Sequence, residues 1–310
     1  MCMWKRNRFV LPALISLTWT MLAARHDKTF SMPDSLLLFG GSSGYCITSP
    51  TASDQVPVPR NPDGKTGPVA LPGFSPKGTL VSSGFPVAND SDRRWGIRAS
   101  VGVYTMREKL WRTYGKFSQV LTTALSYDGS RVAFMAEDAG PETRSLQILD
   151  LGTGQINKLK EIVAVSVSWS PDGKRLALDV PYATSPKVAI CEIATGNVHE
   201  VKEGHFPAWS PSGEWIAFIG ASEQEIRLMH PDGTDDRVLI SVKNHLLGYR
   251  SFGLQPVWSP DSGRLLVNEY KGEGDVQDVL LVDVKSGKAE TKSHNTDPIM
   301  GWASKPEGEK

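Results

Sequence analysis

Cysteine is scarce in this chain, with three in 310 residues. Cys2 lies near the start, and Cys46 and Cys191 are 145 positions apart, so the dense spacing of a secreted disulfide scaffold is missing. Stability has to come from core burial. A surplus of either charge is missing too: 34 Lys and Arg balance 34 Asp and Glu. With no basic excess to neutralise a phosphate backbone, the sequence reads against a nucleic-acid partner. Long stretches of helical periodicity are absent, which argues against helical solenoids. What the chain holds in quantity is turn formers, Gly 29 and Pro 21, about one residue in six. They ask for many short elements joined by tight turns.

Residues 1–24 stand apart. Lys5, Arg6 and Arg8 precede an uncharged run of 16 residues, Phe9 to Ala24, which is the order of a secretory leader. As a helix the run would reach about 24 Å, short of the roughly 30 Å hydrocarbon core. Cleavage is the first reading. Leu22 and Met21, where a small residue is preferred, keep an uncleaved N-terminal anchor and membrane tether as the second. Either way the body is expected in the periplasm or cell envelope of a bacterium. Without residues 1–24 it carries 31 basic and 34 acidic side chains, a net charge of −3. Residues 25–34 read as a linker and 305–310 as a polar tail.

A repeat organises the rest. Trp169-Ser-Pro-Asp-Gly173 is followed by Trp209-Ser-Pro-Ser-Gly213 and Trp258-Ser-Pro-Asp-Ser-Gly263. Relaxed copies start at Phe74 and Leu125, and a truncated one at Trp302. The intervals are 51, 44, 40, 49 and 44 residues, so one unit recurs six times. In the full motif, Pro presets φ, and Asp-Gly supplies a side-chain acceptor and a positive φ, so the flanking apolar stretches pair as a hairpin. Further strands recur downstream, as at Leu146–Asp150, Val188–Glu192 and Arg237–Ile240. Four short antiparallel strands per unit describe a propeller blade.

The residues before the anchors, Gly73, Ala124, Ser168, Ala208, Val257 and Gly301, are nearly all small, as blades converging on an axis require. Trp302 lies too near residue 310 to begin a whole blade. Its missing strands are expected at Ser35–Phe39, Tyr45–Thr48 and Val56–Val58, so that one blade is shared between the two ends of residues 35–304. The fold class is all-β: a six-bladed β-propeller of four-stranded antiparallel blades. In that ring Cys46 and Cys191 fall in opposite blades and stay unpaired within one chain.

The Trp-Ser-Pro-Asp-Gly repeats resemble the TolB-type propeller repeat of bacterial exported proteins, over residues 35 to 304. TolB proper carries an additional α/β domain before its propeller, and the ten residues 25–34 are too few to hold one. The resemblance therefore implies a stand-alone propeller. Prolyl-oligopeptidase-like enzymes also carry such propellers, beside a hydrolase domain for which residues 1–310 leave no room.

Motifs for chemistry are sparse. Gly40-Gly-Ser42-Ser-Gly44 matches a nucleophile elbow, but the β-prone Tyr45-Cys-Ile-Thr48 follows where a helix is needed, so a Gly-rich hairpin turn is the better reading. His26, His199, His205, His230, His245 and His294 show no metal-ligand spacing, and no metal or other cofactor is expected. Some pectin-degrading lyases on TolB-type propellers bind a metal through channel histidines, and His205 alone is placed for that. Asp232-Gly-Thr-Asp235-Asp236 and Glu273-Gly-Asp275 lack an EF-hand frame and read as solvated turn carboxylates.

The candidate site is the mouth of the central channel. Counting back three or four residues from the anchors brings Thr122, Ser166, His205, Phe206 and Gln255 toward one concave surface. The two longest intervals add loops with Arg93 and Trp95 and with Tyr249 and Arg250, aromatic and Arg side chains of the kind enriched at binding hot spots. This set suits docking. The leading reading is a non-enzymatic, monomeric envelope module that binds a protein or peptide; a small-molecule hydrolase or lyase with a channel site is the alternative.

Overall fold

The computed structural model describes residues 35–41, 44–48, 55–58, 70, 72–86, 99–138, 144–181, 185–243, 245–247, 254–270, 277–296 and 298–304. In chain order the first blade contains β1 (Ser35–Gly41), β2 (Gly44–Thr48) and β3 (Gln55–Val58). The second holds β4 (Gly73–Phe74), β5 (Leu80–Pro86), β6 (Ala99–Thr105) and β7 (Leu110–Phe117). The third runs through β8 (Gln119–Leu125), β9 (Arg131–Glu137), β10 (Arg144–Asp150) and β11 (Ile156–Lys160). In the fourth are β12 (Ser166–Trp169), β13 (Arg175–Val180), β14 (Lys187–Glu192) and β15 (Val198–Glu203). The fifth has β16 (His205–Trp209), β17 (Ile216–Ile219), β18 (Glu225–Met229) and β19 (Arg237–Ser241). The sixth has β20 (Leu246–Leu247), β21 (Val257–Trp258), β22 (Arg264–Tyr270), β23 (Gln277–Asp283) and β24 (Ala289–Thr296). Finally β25 (Ile299–Ser304) pairs antiparallel with β1, Leu37 opposite Trp302, and becomes the innermost strand of the first blade. The ring closes as expected.

One blade departs from the four-strand pattern. In the sixth, β20 and β21 both pair with β22, so the innermost strand is split in two. The long interval between Trp209 and Trp258 falls there, and Pro256, which has no N–H to donate, stands just before β21.

The core lies between blades. Six apolar clusters fill the six interfaces, and each middle strand serves two of them. Along β9, Val132, Phe134 and Ala136 face the second blade, while Ala133 and Met135 face the fourth. A strand covered on both faces must be apolar at consecutive positions, which is why Arg131–Glu137 reads as a run instead of an alternation. Gly73 and Gly301 are required by crowding: a Cβ on Gly73 would come within 3.0 Å of the Ala124 Cα, and one on Gly301 within 2.6 Å of the Phe74 ring.

The hairpin turns owe more to serine than the sequence suggests. Ser126, Ser170, Ser210 and Ser259 are buried, and each Oγ accepts the N–H five residues on, at 2.8–3.0 Å. Ser126 and Ser170 also donate to Asp128 and Asp172 at 2.6 Å, and Ser259 donates to Asp261. Those hydrogen bonds are the main reason the three carboxyls are held below the usual range, Asp128 at about 2. The left-handed position is glycine in four turns, such as Gly173 with φ 67°, but Ser262 with φ 60° in the fifth.

Neighbouring blades are latched by the anchors. Arg131 stacks over Trp169, Arg175 over Trp209 and Arg264 over Trp302, at 4.7, 4.8 and 5.4 Å. In the fifth blade Trp215 takes the Arg position, and its ring stacks with His230 and carries the Arg237 guanidinium over it. Cys46 packs against the cluster between the sixth and first blades, and Cys191 is buried between the third and fourth. Their blades are opposite in the ring, which keeps the thiols out of disulfide range.

Candidate functional site

Strands β4, β8, β12, β16, β21 and β25 enclose a channel of about 360 Å³. All six residues that precede the anchors stand in its wall, with Thr122, Ser166 and Gln255. None of the described lining residues is charged. Thr122 and Ser166 are 3% and 2% exposed, and the Ser166 hydroxyl has no protein partner. Tyr127 adds a phenol that reaches the Trp209 carbonyl at 3.4 Å, and burial pushes its pKa well above the ordinary value.

Gln255 is committed across the ring. Its Nε2 donates to the Pro207 carbonyl at 2.8 Å and to the Val167 carbonyl at 3.3 Å, so a side chain of the sixth blade ties the fourth and fifth.

His205 and Phe206 fall outside the channel wall. Phe206 is 7% exposed and packs with Leu247, Val267 and Leu280 between the fifth and sixth blades. Its φ is 50°, a left-handed value that a bulky residue adopts only under constraint. The constraint is Asp179, a carboxylate with no exposure, whose Oδ2 accepts the Phe206 N–H at 3.1 Å. His205 Nδ1 lies 3.7 Å from the same oxygen, and its Nε2 is 3.9 Å from Glu223 Oε1. Asp179 sits directly opposite Ser166 across β12 and β13. Sequence reasoning missed it, although one signal was present: an acid inside the otherwise apolar Leu176-Ala-Leu-Asp-Val180.

Arg93, Trp95, Tyr249 and Arg250 lie outside the described residues, as do Ser42, His26, Glu273, Asp275 and residues 1–34. Gly41 pairs opposite Gly44 in a hairpin, so a strand follows the Gly-rich motif. Among the described residues no group of three or more His, Cys, Asp or Glu is arranged to hold a metal. His245 pairs with Glu269 at 2.7 Å and His294 with Asp278 at 2.8 Å, on the sixth blade. Asp236 corrects the reading of its segment as solvated: Arg227 holds both its oxygens at 2.9 and 3.0 Å, and Lys202 adds a third contact at 2.6 Å. The chemistry offered by the channel wall is hydrogen bonding, from hydroxyls, a carboxamide and backbone carbonyls.

These features define a six-bladed β-propeller whose blades are built on the Trp-Ser-Pro-Asp-Gly hairpin and whose axial channel has no charged side chain among its described lining residues. No family model matches the chain. It is 29% identical over 157 residues to the TolB homolog of Chlorobium chlorochromatii, a match that covers 49% of this chain and 34% of that relative. It is 28% identical over 154 residues to the uncharacterized peptidase YuxL of Bacillus subtilis, covering 45% of this chain and 21% of that one. The matches thus span only about a third of the first relative and a fifth of the second. Among solved structures, TolB from Acinetobacter baumannii aligns with a TM-score of 0.65 at 12% identity, over 87% of this chain and 66% of that one. The chain has a TolB-like β-propeller fold.

Proposed function

We propose that this protein is a non-enzymatic binding module of the bacterial cell envelope that holds a protein or peptide segment at the mouth of its channel. The observation that carries the reading is the channel wall itself. Polar residues from separate blades, Thr122, Ser166 and Gln255, line a space with no charged side chain among its described lining residues. Such a surface suits docking of an uncharged segment, since a charge buried there would lose its hydration without gaining a partner. The TolB likeness supports an envelope location, with residues 1–24 acting as the export leader, or as a tether if uncleaved. Propeller residues 35–304 then act as one monomeric domain. His205, stacked on the buried Phe206, and the loops carrying Arg93, Trp95, Tyr249 and Arg250 would supply contacts beyond the channel wall.

The test is capture from envelope extract by wild type beside Thr122→Arg, which places an uncompensated cation in the channel, and Trp95→Ala. Wild type retains a stoichiometric partner; Thr122→Arg loses it, and Trp95→Ala weakens it by roughly 1–4 kcal/mol. Turnover of a small substrate that His205→Ala abolishes would replace this reading with the enzymatic one.

A further inference from the structure

Two backbone carbonyls on neighbouring blades, Val167 in β12 and Pro207 in β16, approach closely enough to share one nitrogen. A pair of converging acceptors selects its guest by chemistry. It takes an NH2 group, which has two donors to give, and it repels a carboxylate, which has only lone pairs. Pro207 sharpens the preference, because its own nitrogen has no hydrogen to offer an acceptor. With no charged side chain among the described lining residues, a cation gains no counter-ion there.

In the structure the pair is filled by the protein's own carboxamide, Gln255. That residue is half-buried and sits in Leu254–Pro256, a segment outside any strand, at the place where the inner strand of the sixth blade is split. Its backbone is therefore held by no ladder of its own, and its side chain can leave without breaking a sheet.

We infer that the Val167 and Pro207 carbonyls form a carboxamide subsite, filled in the free protein by Gln255, which receives an Asn or Gln side chain of the bound segment when Gln255 swings out. This rests on the reading of the channel as a binding surface and gives it a specificity: carboxamide accepted, carboxylate refused. Gln255 is the specificity-determining residue, a built-in stand-in for the guest.

The experiment uses small probes, so it does not depend on finding the partner. In Gln255→Ala the atoms removed beyond Cβ correspond to acetamide. Acetamide, acetate and ethylammonium are titrated into variant and wild type, following the rise in thermal midpoint and the spectra of the folded protein. Acetamide is expected to bind the variant at least 10-fold more tightly than it binds wild type, and at least 10-fold more tightly than acetate binds the variant. Equal binding of acetamide to both proteins, or of acetate and acetamide to the variant, would overturn the subsite. Tighter binding of ethylammonium than of acetamide would overturn the carboxamide assignment in favour of a cation. Should Gln255→Ala not fold, wild type serves. Acetyl-Ala-Asn-Ala-amide should shift the Gln255 side-chain amide signals at a concentration at least 10-fold lower than its Asp counterpart, and equal responses would refute the idea. An empty envelope capture would leave a positive probe result standing, so the two proposals fail separately.

Discussion

Ser126→Ala tests whether serine holds the repeat together. Ser126 is 1% exposed; its Oγ accepts the Arg131 N–H at 2.9 Å and donates to Asp128 Oδ1 at 2.6 Å. Removing the oxygen strands the Arg131 N–H at the start of β9, at a cost of roughly 1–2 kcal/mol. It also removes the largest cause of the low Asp128 pKa, ahead of the Ser130 N–H. Asp128 is exposed, so that contribution is about 1 kcal/mol, well under the full value of the shift. Together the loss is about 2–3 kcal/mol, or a fall of about 4–10 °C in the thermal midpoint.

The pH dependence gives the argument its sign. Asp128 titrates at about 2 in the folded chain, below its ordinary 3.8. Its contribution is fully present above the unfolded pKa and is lost as pH falls through the folded one. The deficit of Ser126→Ala, measured by urea unfolding, should therefore shrink by about 1 kcal/mol from roughly pH 4 to pH 2. A deficit that stays constant over that range, or one under about 0.5 kcal/mol at neutral pH, would refute the reasoning.

Two further outcomes follow from the turns and the thiols. Ser262→Gly should stabilise by about 0.5–1 kcal/mol, because relief of the left-handed φ of 60° outweighs the exposed bond that Ser262 Oγ accepts from the Ser212 N–H; urea midpoints decide the sign. Cys191 is fully buried, and burial pushes its thiol up to about 11, so it should stay silent to a thiol reagent in the native protein. After non-reductive unfolding of a chain lacking residues 1–24, two thiols should react, and none in a monomer would contradict the blade order.

Much of the ring is legible in the sequence because its constraints are local and repeated. Trp-Ser-Pro-Asp-Gly prescribes a hairpin, and repetition prescribes blades. The small residue before five of the six anchors marks the axis, as Gly73 and Gly301 show by having no room for a Cβ. The site is less legible because counting back from the anchor assumes an unbroken strand. The register shifts between His205 and Ala208 in β16, and between Val120 and Thr122 in β8. A shift of one residue exchanges faces. Thr122 remains in the channel wall, whereas Phe206 turns into the interface of the fifth and sixth blades. Asp179 and Gln255 act through partners distant in sequence, 27 residues away for Asp179 and 88 and 48 for Gln255, and no local pattern reports such contacts.

Closing the ring and making a binding surface are one physical problem. The innermost strand of each of the first five blades has a sheet partner on one side only, so a row of carbonyls and N–H groups faces the axis. A buried group of that kind needs a partner. A neighbouring blade often supplies it: Trp169 Nε1 donates to the Ala124 carbonyl and Trp258 Nε1 to the Ala208 carbonyl, both at 2.9 Å, while Ser168 Oγ accepts the Trp209 N–H at 2.9 Å. These contacts come from the repeat, so they secure the fold whatever fills the channel. Gln255 is a different kind of solution, since no repeat position dictates it and its two acceptors belong to two other blades. The fold depends on the anchors and turn serines, which leaves the non-repeating residues of the channel free to vary. A ring of this kind can thus keep its blades while its channel wall varies, and in this chain the wall residue that no repeat position explains is Gln255, which ties two other blades.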